Sequence, residues 1–379
     1  MTPYLETVKS VYENAPLYAD RTGKGRNRQF GAVETYSLEG NTLPADTTTQ
    51  LYLKTLTREI LGMIKGSNRV EDLGKAFWDK WSPNEEDIEK NLAKLLEVSE
   101  KNNDKDAVEF FSNPRVKESL RDHLTKLVGT IGPMYGVLWR NFPRVSQTPL
   151  AWVKGVEDIP SDKLKLYRER FAAEIVMGGD GSKNTEENFN LYALGMFNQS
   201  FDQMAKVVKE LKENPYSSRH RVTAFHPDTI GSEDMTPKEN VLAGKAALAP
   251  CHTFFQFMVT DKEVNGETKK HLNCMLYMSS SDVMIGRPYN ICQYSLMTLI
   301  LAHCLDMEPG EFTLVSCDTH IYEHHKEDGK VEEHLSRIPL PYPKVVLNPN
   351  KKDFFDFTEE DITIVDYRHY PKIDYEVAV

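Results

Sequence analysis

The sequence has no apolar run long enough to span a bilayer, and its first residues show no basic segment followed by an apolar one. A membrane helix needs about 20 mostly apolar residues, and a secretory signal needs the basic-then-apolar order. Because both features are absent, we expect a cytoplasmic protein with no membrane partner.

Cysteine is scarce, with five among 379 residues, and no two of them form a CxxC pair. The odd number fits free thiols in a reducing compartment, and the missing pairs argue against a zinc site. We expect no bound metal.

Positive charge is also in deficit, since 46 Lys and Arg stand against 57 Asp and Glu and give a net charge of -11. This balance argues against general nucleic-acid binding but allows a local basic pocket for one phosphate.

What the sequence does contain is the pattern of an α/β protein. Hydrophobic residues make up 40% of it, enough for one large core or two ordinary ones. Apolar residues at helical spacing predict helices over 3–14, 50–66, 201–211 and 290–305, the last apolar on nearly every side. Short β-rich segments predict strands over 221–225, 253–260, 271–277, 312–316, 344–347 and 362–365. We therefore predict a mostly β core sheet backed by a buried helix.

Two polar, charge-dense stretches, 82–128 and 144–190, interrupt this pattern. Helical patches cover 88–98 and 116–128, but neither stretch holds enough apolar residues for a core of its own. We interpret both as surface insertions within a single domain that spans 1–379.

Cys251 stands beside an imidazole in the segment APCHTFFQF, which covers 249–257. A thiol next to His252 with apolar neighbours on both sides indicates a nucleophile at the wall of a pocket, because nearby positive charge and hydrogen-bond donors set the thiolate population. The alternative is a cysteine that only packs in an apolar strand. His252 also has two interpretations, since it either tunes the thiol or simply packs.

Three further polar groups lie where a purely structural core would be apolar. The amide of Asn290 donates one hydrogen bond and accepts another, which suits the N3–H and O4 edge of uracil, or else it caps a helix. The segment DTHIY at 318–322 closes a strand with hydroxyl-binding groups, or else it is a capped turn. Glu59 is a carboxylate near the buried face of a helix, or else a solvated residue at its rim.

These segments and several others occur in the order found in the thymidylate synthase family, and the sequence resembles that family over most of its length. The matching motifs are DRTG at 20–23, FG at 30–31, REIL at 58–61, FWDKW at 77–81, GPMYGVLWR at 132–140, LAPCH at 248–252, FQF at 255–257, the run from 282 to 290, DTHIY at 318–322 and VAV at 377–379. The resemblance implies the α/β fold of that family and a homodimer whose subunits pack sheet against sheet. The two insertions fall outside it.

The family joins a one-carbon unit from methylenetetrahydrofolate, its co-substrate, to C5 of a pyrimidine nucleotide. By resemblance, the thiolate of Cys251 attacks C6 of the base, Glu59 organises proton transfers through water, and Tyr135 removes the C5 proton. The resemblance also implies that Asn290 reads the base and that Asp282 hydrogen-bonds the pterin.

The resemblance assigns further residues to the two substrates. Those for the nucleotide, dUMP, are Arg21, Arg219, His252, Gln256, Ser280, Asn290, His320 and Tyr322, the last two for the ribose hydroxyl. Those for the folate are Phe77, Trp78, Trp81, Asp282, Ile285, Gly286, Tyr289, Val377 and Ala378. The aromatic members imply a stacking wall, and the C-terminal residues imply a tail that excludes water. In the homodimer Arg219 would enter the partner's site, so the two active sites would be shared.

The sequence departs from the family at the phosphate of the nucleotide. The family uses four arginines there, and two of their positions hold Ser218 and Ser279. Each charge-assisted contact contributes about 1.5–3 kcal/mol, so other cations would have to replace the lost ones. The candidates to replace them are Lys24, His220, Arg221 and Arg287.

These departures favour a relative of the bacteriophage type, which makes 5-hydroxymethyl-dUMP and tetrahydrofolate for DNA modification in the host cytoplasm. Water then attacks the exocyclic methylene intermediate in place of a hydride. Asn290 favours dUMP over dCMP, because an acid is expected at this position for cytosine. A thymidylate synthase, which makes dTMP and dihydrofolate, is the alternative because Trp78, Trp81 and Tyr135 are present. A third interpretation is a non-catalytic paralogue with a structural or regulatory role.

Overall fold

A computed structural model describes residues 1–19, 23–143 and 200–377 of the protein, together with scattered positions between 161 and 189. Three residues of the predicted site and tail, Arg21, Ala378 and Val379, lie outside the described residues. Most of the predicted insertion at 144–190 lies outside them as well.

A six-stranded mixed sheet forms the centre of the fold. The strands of the protein are β1 Leu17–Tyr18, β2 Arg26–Ser37, β3 Phe142–Pro143, β4 Ser200–Phe201, β5 Arg221–Thr223, β6 His252–Val264, β7 Glu267–Asp282, β8 Glu308–Tyr322, β9 Lys344–Leu347 and β10 Ile362–Val365. The order in the central sheet is β1-β2-β8-β7-β6-β5, and β9-β10 and β3-β4 form two small antiparallel sheets of two strands each. Strands β7 and β8 pair in parallel, whereas the other neighbours in the central sheet pair antiparallel.

Helices pack against this sheet, and one of them is buried in the core. They are α1 Pro3–Asn14, α2 Leu53–Ile64, α3 Val70–Leu73, α4 Lys75–Trp78, α5 Glu85–Lys101, α6 Lys105–Ser112, α7 Pro114–Thr125, α8 Gly136–Arg140, α9 Gln203–Glu213, α10 Pro237–Leu242, α11 Gly286–Cys304 and α12 Lys330–Ser336. Helices α5 and α7 share a small apolar cluster of Ile88, Leu92 and Leu124, which meets Leu242 of α10. Within the described part of the chain, no helix is both long and apolar enough to cross a membrane.

The long helix α11 lies behind β7 and β8. Fifteen of its nineteen residues are buried, so it has no solvent-facing stripe. The guanidinium of Arg287, in its first turn, pairs with Glu34 of β2 at 2.9 Å, and both side chains are almost fully buried. This ion pair attaches the start of the helix to the sheet. The predicted buried helix over 290–305 is confirmed, and it begins earlier, at Gly286.

The two faces of the central sheet differ in what covers them. Phe255, Leu276 and Leu314 are buried in one core cluster with residues of α11. On the other face, large apolar side chains are exposed in the single chain. They are Phe30, Val33, Met258, Met275 and Tyr277, with exposed fractions of 90, 68, 54, 52 and 41%. The two-residue period of a strand produces this alternation and leaves one face apolar and uncovered.

The six predicted strands are present, and two of them, 344–347 and 362–365, have the predicted bounds. The others differ in length: 271–277 and 312–316 lie inside the longer strands β7 and β8. Strand β2 was not predicted, because polar residues occupy inward positions where the pattern calls for apolar ones. Asn27 and Glu34 are both buried there, and their partners come from distant parts of the chain.

Candidate active site

Helix α2 points Glu59 inward, beside Trp78 at the end of α4. The indole Nε1 donates to one carboxylate oxygen at 2.7 Å, and Nε2 of Gln293 donates to the other at 2.6 Å. Burial raises the pKa of Glu59 to about 7, while these two hydrogen bonds act to lower it. A carboxyl group with this pKa exchanges a proton readily near neutral pH.

Gln293 links Glu59 to Asn290. Its carbonyl oxygen accepts a hydrogen bond from Nδ2 of Asn290 at 3.1 Å. Both residues lie on α11 three positions apart and therefore share one face of the helix. The sequence prediction included Glu59 and Asn290 but missed Gln293, whose one signal is that spacing. Trp78, Glu59, Gln293 and Asn290 thus form a continuous hydrogen-bonded line.

Tyr135 precedes α8 with φ at 46° and ψ at -112°, a backbone conformation that few side-chain-bearing residues adopt. A Cβ at the next residue, Gly136, would lie 2.4 Å from the carbonyl oxygen of Met63, so only glycine allows α8 to approach α2 this closely. The ring centroid of Tyr135 lies 6.3 Å from that of Trp78, and its hydroxyl accepts from the backbone N–H of Cys251 at 3.2 Å. The structure therefore brings Tyr135, Trp78 and Cys251 together.

Cys251 lies directly before β6 and is partly buried. Burial, followed by the negative charges of Asp282 and Asp318, raises the pKa of its thiol to about 11. Ser279 stands where the resemblance described above implies an arginine. Its backbone N–H and its hydroxyl donate to the carbonyl of Cys251 at 2.8 and 3.2 Å. The serine holds the backbone of the cysteine but adds no charge, so the single chain keeps the thiol protonated at neutral pH.

His252 has the contacts of a packed residue. Its ring stacks on Tyr135 with centroids 3.7 Å apart, and its Nδ1 lies 2.7 Å from the hydroxyl of Tyr294. Burial lowers the pKa of His252 to about 3, so the imidazole is neutral at physiological pH. Of the two interpretations of His252, these contacts favour packing over tuning of the thiol by a positive charge.

Asp282 closes the turn that leads into α11. Its Oδ1 accepts from the backbone N–H groups of Met284 and Ile285 at 3.0 and 3.3 Å. Nδ1 of His325 lies 3.7 Å from the same oxygen. Burial lowers the pKa of His325, whereas the charge of Asp282 acts to raise it. These contacts fix the orientation of the Asp282 carboxylate at the start of the helix.

Asp318 lies among cations near the end of β8. Arg26, Arg28 and His320 approach its oxygens at 3.2, 3.1 and 3.5 Å. Burial acts to raise the pKa of Asp318, but hydrogen bonds from His320 and Arg28 and the charge of Arg26 outweigh it and bring the pKa to about 2. The predicted pair His320 and Tyr322 is brought together, with ring centroids 5.1 Å apart. Arg26 and Arg28 were not predicted, because only the pairing of β2 with β8 brings them here.

Three aromatic residues form a wall beside Glu59. The ring centroids of Phe77, Trp78 and Trp81 are 5.0–5.4 Å apart, and both tryptophans are buried. Tyr289, in the first turn of α11, accepts through its hydroxyl from the backbone N–H of residue 52 at 3.3 Å. Val377 packs against the main core from the C-terminal segment. Ile285 and Gly286 stand at the start of the same helix.

Other predicted nucleotide residues lie apart from the hydrogen-bonded line. Arg219 is exposed just before β5. Gln256 lies on β6 and donates to the carbonyl of Ser218 at 2.9 Å. Ser280 stands opposite Asp318 in the β7–β8 pair. Of these three, Ser280 is the one that the structure brings next to the Asp318 cluster.

The prediction that Arg287 or His220 could replace a lost phosphate arginine is wrong. Both side chains are fully buried. The guanidinium of Arg287 binds Glu34 and also donates to the hydroxyls of Ser281 and Ser316 at 3.0 and 2.9 Å. It is therefore committed to the interior and cannot reach a ligand.

The thiol of Cys251 stands directly before β6, Asn290 lies on the buried helix α11, and Glu59 of α2 is joined to that helix through Gln293. The sequence profile described as thymidylate synthase matches residues 2–379, and the chain belongs to the thymidylate synthase family. It is also similar to a thymidylate synthase of Francisella philomiragia subsp. philomiragia, with 28% identity over the full length of both chains. The family transfers a one-carbon unit from methylenetetrahydrofolate to dUMP, so the predicted family and reaction class are confirmed.

Among the described residues, no group of three or more His, Cys, Asp or Glu side chains is arranged to hold a metal ion.

Proposed function

We propose that the protein converts dUMP and methylenetetrahydrofolate into 5-hydroxymethyl-dUMP and tetrahydrofolate. The one-carbon transfer follows from the family. The hydroxymethyl product goes beyond what the family implies. It rests on the loss of two arginines at the phosphate position, where Ser218 and Ser279 stand, and on the raised pKa of Glu59.

In the proposed reaction the thiol of Cys251 first gives its proton to water, the thiolate adds to C6 of uracil, and the electron pair of the C5–C6 bond moves toward O4 as an enolate. C5 then bonds to the methylene carbon of the folate iminium. The C5 proton then passes by way of the Tyr135 hydroxyl to the departing folate nitrogen, and the bond between that nitrogen and the methylene carbon breaks. This releases tetrahydrofolate and leaves an exocyclic methylene. Water adds to that carbon, Glu59 takes a proton from the water, and the returning electron pair expels the sulfur.

The observation that carries this proposal is the carboxyl group of Glu59 at the aromatic wall. Its pKa of about 7 suits a base that must accept a proton from water at neutral pH. The indole N–H of Trp78 holds it in place at 2.7 Å. A water bound to the Glu59 carboxylate would lie beside the aromatic wall of Trp78 and Trp81, where the pterin is expected to stack.

A thymidylate synthase is the second candidate function. The same wall of Trp78 and Trp81 is intact and buried, and such a wall excludes water from the path of a hydride. The similarity to the thymidylate synthase of Francisella philomiragia also favours this candidate.

The phosphate is assigned to a set of cations that only partly matches that of the family. Arg26 and Arg28 lie around Asp318, which stands opposite Ser280 in the β7–β8 pair. Two guanidinium groups against one carboxylate leave a net positive charge for a phosphate monoester. We assign Arg21 and Arg219 to the same phosphate by resemblance.

A homodimer is part of the proposal. The uncovered sheet face exposes Phe30, Met258 and Met275, an apolar surface that is costly in water and typical of an interface. Packing this face against its copy would cover it and would bring Arg219 to the partner's phosphate site. We also propose that the chain is a single catalytic domain with insertions at 82–128 and 144–190, and that it acts in the cytoplasm of a host cell for a bacteriophage.

Product identification tests the proposed function. The protein is incubated with dUMP and methylenetetrahydrofolate in water enriched in heavy oxygen, and the nucleotide and folate products are analysed by mass spectrometry. The expected products are tetrahydrofolate and 5-hydroxymethyl-dUMP with heavy oxygen in its new hydroxyl. Formation of dTMP and dihydrofolate would identify the protein as a thymidylate synthase instead.

Two cysteine variants serve as controls. Cys251→Ala should give no product, whereas Cys317→Ala, at the other partly buried cysteine, should keep the activity. If the unmodified protein forms no covalent adduct with 5-fluoro-dUMP and the folate, the non-catalytic interpretation is supported.

A further inference from the structure

Gln293 occupies a position between the proton-transfer group and the base-reading group that the proposed reaction does not use. Its side chain is buried, with 2% of its surface exposed. Its amide nitrogen lies 2.6 Å from Oε2 of Glu59, and its amide oxygen lies 3.1 Å from Nδ2 of Asn290. Both ends of one side chain are therefore occupied by residues of the site.

While Glu59 is ionised, the hydrogen bonds of this line have only one direction. The indole of Trp78 can only donate, and an ionised Glu59 can only accept. The NH2 group of Gln293 must therefore face Glu59, and its carbonyl must face Asn290. Asn290 in turn must present its own NH2 group to Gln293, which leaves its carbonyl oxygen and its second N–H for a ligand.

We propose that Gln293 is a positioning residue that sets the preference for uracil over cytosine. Uracil presents a donor at N3 and an acceptor at O4, which match the free oxygen and N–H of Asn290. Cytosine presents an acceptor at N3 and a donor at N4. To bind it, Asn290 would have to reverse its amide, and its oxygen would then face the oxygen of Gln293 with no proton between them.

The anchor of this preference is Glu59, because Gln293 cannot reverse while it donates to the carboxylate. The inference rests on the proposed use of dUMP, and it extends that proposal to the residue that selects the base. It does not depend on whether water or a hydride completes the reaction.

Binding without folate separates the inference from the identity of the product. Affinities for dUMP and dCMP are measured by isothermal titration calorimetry above the pKa of Glu59, at about pH 8. The proteins compared are the unmodified protein, Gln293→Met and a matched control, Ser295→Ala. Methionine keeps the volume of the side chain and removes both hydrogen bonds. Ser295 is a buried polar residue on the same helix and is not part of the line.

The unmodified protein should bind dUMP more tightly than dCMP. Gln293→Met should reduce the ratio of the two affinities about tenfold, which corresponds to ~1.4 kcal/mol, the size of one directional hydrogen bond. Ser295→Ala should leave the ratio unchanged. If the methionine variant does not fold, Gln293→Ser, which is too short to reach Glu59, should reduce the ratio in the same way.

Three results would overturn the inference. One is an equal loss of affinity for both nucleotides in the Gln293 variants, as expected for a purely structural residue. Another is the same change of ratio in Ser295→Ala. The third is an unmodified protein that shows no preference for dUMP. A dTMP product in the separate activity assay would refute the hydroxymethyl proposal and leave the base preference standing.

Discussion

Replacing Glu59 by glutamine should change the stability of the protein in a pH-dependent way. Burial raises the pKa of this carboxyl from its ordinary value of 4.5 to about 7 in the native state. Below about pH 4.5 the group is protonated in both folded and unfolded chains. As the pH rises toward 7 the unfolded chain releases its proton first, so the native state loses stability. Above pH 7 the full loss is present, and it amounts to ~3 kcal/mol at 1.36 kcal/mol for each pKa unit.

Glutamine cannot ionise, so its contribution to stability does not change with pH. The free energy of unfolding of Glu59→Gln, relative to that of the unmodified protein, should therefore rise by ~2–3 kcal/mol from pH 5 to pH 8. The assay is urea unfolding of both proteins at several pH values, with the free energies of unfolding compared at each pH. Glu97→Gln, at an exposed carboxylate on α5, serves as the control and should show no such trend. A difference between Glu59→Gln and the unmodified protein that stays constant from pH 5 to pH 8 would refute the argument that Glu59 is destabilised by burial of its charge.

Three further predictions concern charged residues and the dimer. Arg287→Met should lower the free energy of unfolding by ~3–5 kcal/mol, because it leaves the charge of Glu34 buried and unpaired. Adding Glu34→Leu to that variant should restore much of the loss. Strictly additive losses of the two substitutions in urea unfolding would contradict a coupled pair. Arg28→Ser should weaken binding of dUMP roughly tenfold and leave binding of deoxyuridine unchanged, and calorimetry that finds equal losses would argue against a phosphate contact. Inactive Arg219→Ala and Cys251→Ala proteins should regain activity when refolded together, because hybrid dimers hold one intact site; no recovery would count against shared sites.

The sequence was sufficient to select candidate site residues that stand out in a local motif. Cys251 is marked by its histidine neighbour and apolar flanks, and Asn290 by its position at the start of a long apolar helix. The helix itself could be predicted because it is apolar on every side. Such features need only a few consecutive residues to define them.

The missed features depend on contacts between distant segments. In the sequence, the positive charge of Arg287 suggests a ligand-binding residue. Its partner Glu34 lies 253 positions away, and in the fold the two form a buried ion pair with a structural role. Gln293 gains its role only when α11 packs beside α2 and brings Glu59 to it. Strand β2 lacks the expected alternation of apolar and polar residues for the same reason, since its buried Glu34 pairs with Arg287 of α11.

The pairing of β2 with β8 has a consequence for how the protein is made. Arg28 of β2 contacts Asp318 of β8 across 290 positions of the chain. At a synthesis rate of about 5–20 residues per second, the ribosome needs roughly 15–60 s between the two strands. Throughout that interval the nascent β2 strand has an unpaired edge, which can associate with other chains or recruit a chaperone. Assembly of the catalytic sheet is therefore a late event in biogenesis, and a chain released before residue 308 has no strand to complete it.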